Sequence, residues 1–137
     1  MNQPAIDVEL AEEVAQFYAD PLGHVLFSYP WGAGQLEGFK GPDDWARDFL
    51  NEVGDEVRSR GFDGHTAVDP IQFSTASGHG IGKSALTAWL IRWIMDTRPY
   101  SKGIVTANTS EQLRTKTWAE LAKWHHMGIT KHWWTLN

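Results

Sequence analysis

Ser77-Gly78-His79-Gly80-Ile81-Gly82-Lys83-Ser84 stands between a run of strand type and a run of helix type, and the reading of the whole chain turns on it. It departs from the phosphate-binding pattern G-x-x-x-x-G-K-[ST] only at its first position, where Ser77 replaces glycine. Such a loop needs glycines because backbone N–H groups must turn inward around phosphate oxygens, in conformations that a Cβ would obstruct. Gly78, Gly80 and Gly82 supply that freedom. Lys83 would reach the β- and γ-phosphates as a point charge, the Ser84 hydroxyl would ligate Mg²⁺, and the helix that follows would add its N-terminal dipole. His79 and Ile81 complete the loop, with His79 expected to point to solvent. The bland alternative is a Gly-rich turn that binds nothing, and the flanking elements favour the nucleotide.

Working outward, residues 71–76 alternate apolar and polar side chains in the manner of a strand, and Leu86, Trp89, Leu90, Trp93 and Ile94 form the apolar stripe of a helix running from Lys83 to before Pro99. Residues 103–107 (Gly-Ile-Val-Thr-Ala) predict a second strand, and Thr109 with Gln112 three residues on forms a capping box for a helix over 110–124. Strand, helix, strand, helix in that order predicts an α/β fold with a parallel sheet of the P-loop NTPase type, flanked by helices and incomplete at this length. Before the loop, residues 7–18 carry helical spacing, 22–40 read as loop, and Gly41-Pro42-Asp43-Asp44 predicts the start of a helix reaching about Arg60. The expected organisation is an N-terminal helical and loop region over 1–66 and the start of an ATPase core over 67–137.

With 137 residues, 42% hydrophobic and 21% charged, one packed domain is expected. The absence of Cys excludes a disulfide framework, thiol catalysis and cysteine-ligated zinc. Neither a membrane span nor a signal peptide is expected. The net charge of -5 hides an asymmetry, since residues 1–66 carry 13 acids against 4 bases and residues 97–137 carry 2 against 6. His125, His126 and His132 invite a metal reading, but with no carboxylate or Cys close in sequence they read as a surface cluster. Of eight Trp, four (Trp118, Trp124, Trp133, Trp134) fall in the last twenty residues and are expected to cover apolar surface. After the loop the only acids are Asp96, Glu111 and Glu120, and none closes a strand as a Walker B acid would, so binding of ATP without turnover is expected.

With the loop, its flanks and Val105-Thr106-Ala107-Asn108-Thr109-Ser110-Glu111-Gln112-Leu113 in view, the sequence resembles the N-terminal part of the ATPase domain in the large terminase subunit of tailed phages, a P-loop DNA-packaging motor. The likeness is best over residues 73–124 and extends weakly back to about Phe27, where Trp45-Ala46 stands in the place of the family's frequent Trp-Gln. The resemblance implies ATP and Mg²⁺ as cofactors, with Ser77 to Ser84 on the phosphates and Gln112 near the nucleotide. It also implies double-stranded DNA, the portal and the small terminase subunit as partners, and a bacterial host cytoplasm as the place of action, encoded by phage or prophage. The alternatives are a fragment of another P-loop or helicase-like NTPase, and an inactive prophage remnant that acts only as a binding module.

Overall fold

The computed structural model describes residues 3–61, 66–74 and 83–136. The first helix, α1 (Gln3–Ala15), turns Val14 into the core. The second, α2 (Pro21–Ser28), lies inside the stretch whose sequence reads as loop. Its start has two local causes: the Asp20 carboxylate accepts the Gly23 N–H at 3.0 Å, and Pro21 occupies the first turn with its backbone angle already set for a helix. Helix α3 (Asp44–Arg60) buries Ala46, Leu50, Val53, Gly54 and Val57 along one stripe. It ends where Gly61 takes a left-handed backbone (φ +61°) and returns its N–H to the Arg58 carbonyl.

Helix α4 (Lys83–Thr97) is the centre of the molecule, with Ala85, Leu86, Ala88, Trp89, Arg92 and Trp93 all buried. Pro99 stands two residues beyond its end. Thr109 caps the next helix as its spacing predicts, its hydroxyl accepting the Gln112 N–H at 3.0 Å. A short α5 (Ser110–Gln112), a π-helical stretch (Leu113–Trp118) and α6 (Ala119–Met127) then follow without a break in helical backbone.

The expected parallel α/β sheet is overturned, because the described residues form helices and irregular connections with no β-strand. Residues 71–74 form no ladder, and residues 75 and 76 lie outside the described set. Residues 103–107 are equally unpaired, with Ile104 92% exposed. A β-branched run becomes a strand only where a neighbour supplies ladder hydrogen bonds and a packed face. Here helices cover α4 instead. Val25 of α2, Leu50 of α3, Leu86 and Trp89 of α4, and Leu121 and Trp124 of α6 make one cluster, so side chains from 1–66 and from 67–137 share it. A smaller cluster gathers Val53, Val57 and Trp93. Aromatic rings tie the larger one together: Trp124 lies 5.0 Å from Tyr29, 5.1 Å from Trp89 and 5.7 Å from Trp31, measured between ring centroids. Among the described residues no helix is long and apolar enough to cross a membrane.

Candidate functional site

Lys83 and Ser84 are the first two residues of α4, Lys83 half-buried and Ser84 exposed. The Lys83 carbonyl accepts the Thr87 hydroxyl at 3.0 Å one turn on, which ties the first turn of the helix together. Ser77, Gly78, His79, Gly80, Ile81 and Gly82 lie outside the described residues. Gln112 sits exposed in the short α5.

The far end of the same helix carries a buried polar centre that the sequence reading did not single out. Lys83 apart, Arg92 and Asp96 are the only charged residues of α4, four apart and therefore on one face. That face turns inward: the Asp96 carboxylate is 1% exposed, the Arg92 side chain 5% and the His24 imidazole of α2 is fully buried. His24 Nε2 donates to Asp96 Oδ2 at 2.9 Å, and the Thr130 hydroxyl donates to the same oxygen at 2.7 Å. The Trp134 indole N–H takes the other oxygen at 2.7 Å, and Arg92 donates to the Thr130 hydroxyl at 2.5 Å while its guanidinium stands 3.7 Å from Asp96. Burial alone would raise the Asp96 carboxyl, but the His24 hydrogen bond, the Arg92 and His24 charges and the Thr130 hydroxyl together hold it below the ordinary carboxylate range.

Ser28 completes an apparent serine, histidine and aspartate set, with its hydroxyl 3.3 Å from His24 Nε2. Geometry decides against nucleophilic catalysis. In a working triad the serine and the carboxylate address opposite ring nitrogens, so that one nitrogen can accept a proton while the other is held. Here both address Nε2, whose hydrogen already goes to Asp96, and Nδ1 is buried without a hydrogen-bond partner among the described residues. Asp96 is likewise committed to protein donors on both oxygens and is closed to a metal ion. The centre is a clamp that joins α2, α4 and the C-terminal residues. Its sequence signal was the charged pair inside an otherwise apolar helix.

The three C-terminal histidines separate. His125 is buried, His126 exposed, and His132 binds Asp7 of α1 at 2.7 Å. His125 thus departs from the expected surface cluster, because α6 turns it inward beside Trp124 and Leu121. No group of three or more His, Cys, Asp or Glu among the described residues could hold a metal ion. Comparison with protein-family models, with curated proteins and with solved structures finds no match.

Proposed function

We propose that the chain binds ATP through its Ser77 to Ser84 segment and serves as the nucleotide-binding part of a DNA-packaging motor of the large-terminase type. The observation that carries the reading is the order of the residues. A glycine-rich segment leads directly into Lys83 and Ser84, and these two open the most deeply buried long helix of the molecule. A phosphate held there would meet the lysine ammonium, the first-turn N–H groups and the helix dipole together, with Mg²⁺ taken by the Ser84 hydroxyl. Residues 71–74 form no strand before the loop, so the support lies in the loop's own residues and in the helix that follows. Gln112, double-stranded DNA, the portal and the small terminase subunit enter on the resemblance alone.

Titration of Mg·ATP into the 137-residue protein and into Lys83→Ala tests the proposal. A hydrogen bond to a charged group contributes about 1.5–3 kcal/mol, so the substitution should weaken binding at least about tenfold. Lys83 is half-buried at a helix start, and circular dichroism of the variant should match the parent. Equal affinity in the two proteins, with both folded, overturns the nucleotide reading and leaves a binding module. Phosphate release should not exceed that of Lys83→Ala, because a second metal-holding acid is not in evidence in the sequence after the loop.

A further inference from the structure

Beside α4, on the side away from α3, a groove of about 570 Å³ runs between that helix, residues 101–105, the π-helical stretch and the C-terminal residues 134–136. Its volume falls in the range of about 300–1,000 Å³ typical of small-molecule sites. Ile94, Ile104 and Trp118, three of the large apolar side chains that the molecule leaves exposed, line this one groove. The π-helical hydrogen-bond repeat brings residues five apart onto one face, and Leu113 and Trp118, the two ends of that stretch, both line the groove.

Two polar side chains in the lining, His125 and Thr135, make no hydrogen bond among the described residues, and of the two His125 is the buried one. His125 is 6% exposed, faces the groove, and its imidazole makes no hydrogen bond among the described residues, its neighbour His126 offering only a ring contact. A nearly buried imidazole in that state is poised to take a polar atom from a ligand. The charges facing it come from three elements. Arg92 and Asp96 lie on α4, His126 is its neighbour on α6, and Lys131 follows in the short turn after that helix. Burial lowers the His125 pKa, Arg92, His126 and Lys131 push the same way, and only Asp96 opposes. Arg92 and Lys131 thus place a guanidinium and an ammonium group near the ring, and Asp96, 1% exposed, accepts protein donors at both oxygens.

We propose that this groove binds an amphipathic carboxylate of fatty-acid type, its apolar body along Ile94, Ile104, Leu113 and Trp118 and its head group hydrogen-bonded to the His125 imidazole. An apolar body is demanded by the walls, and an anion by the Arg92 and Lys131 charges near a buried imidazole that makes no hydrogen bond among the described residues. Binding would draw a proton onto His125, since a carboxylate beside the ring favours the imidazolium.

Decanoate, with decanol as the neutral control, provides the test on the full chain, read by NMR of the His125 ring and by calorimetry. Decanoate should bind at least about tenfold tighter than decanol, raise the His125 pKa and bind more tightly as pH falls from about 7 to 5.5. His125→Gln should lose that tenfold preference and the tightening of decanoate binding at low pH. Ile104→Glu, at a position 92% exposed, should weaken decanoate without disturbing the fold. Decanol binding as tightly as decanoate overturns the proposal, as does unaltered decanoate affinity in His125→Gln. Failure of decanoate to bind while the protein forms a concentration-dependent dimer through Ile94 and Trp118 overturns it in favour of a second copy as the occupant.

Discussion

Asp96→Ala would leave the His24 N–H, the Thr130 hydroxyl and the Trp134 indole without their acceptor and the Arg92 guanidinium without its counter-charge, all in the interior. Breaking a buried pair from one side costs about 3–5 kcal/mol, so the urea midpoint of this variant should fall steeply, while Ser28→Ala, which touches only a shared nitrogen at 3.3 Å, should change little. The pH dependence follows from the same residues. The folded Asp96 carboxyl ionises below its unfolded value, so its contribution is present above about pH 4 and is lost as pH falls through the folded pKa. His125 is also lowered in the fold, so the unfolded chain takes up its proton first, and stability should begin to decline as pH drops below about 6.5. Denaturation followed at several pH values should show both windows, with the upper one missing in His125→Gln. Neither residue was visible as a partner in the sequence, because His24 and Thr130 stand 72 and 34 positions from Asp96 and no local pattern records that meeting.

At the scale of elements, α3 and α4 were legible because their apolar residues recur on one face over four turns or more. Helix α2 was not, since eight residues carrying both Pro and Gly show too little periodicity; the usable signal was Asp20 followed by Pro21, a cap and a preset first turn. The two strands failed for the opposite reason, as β-branched composition states what a segment could do beside a partner and says nothing of whether one is there. Close packing between α2 and α3 yields a prediction with a sign. A Cβ at Gly54 would stand 3.1 Å from the Ala19 carbonyl oxygen and 3.2 Å from Pro21 Cδ, a backbone atom and a rigid ring. Alanine gains about 1 kcal/mol in helix propensity at such a site, whereas overpacking costs about 1–3 kcal/mol, so Gly54→Ala should lower the melting temperature. A raised melting temperature would show that the α2–α3 contact gives way easily.

At the scale of the whole molecule, helices from both sides of residue 66 share one core, so neither stretch carries all of it. Fragments 1–66 and 67–137, expressed separately, should each lack cooperative thermal unfolding and should recover it on mixing. Cooperative melting of either fragment alone would contradict this. Trp31, Trp89, Trp124 and Tyr29 form the part of the core where that assembly becomes visible, with centroid separations of 5.0–6.0 Å and near-perpendicular as well as tilted rings. Transition dipoles this close and this unlike in direction couple, so the folded protein should carry a strong exciton pair in the tryptophan ultraviolet bands. Each chromophore contributes only when its own stretch of chain has docked. The chain thus contains a native spectroscopic gauge of tertiary assembly, able to separate a helix that has merely formed from one that has found its place.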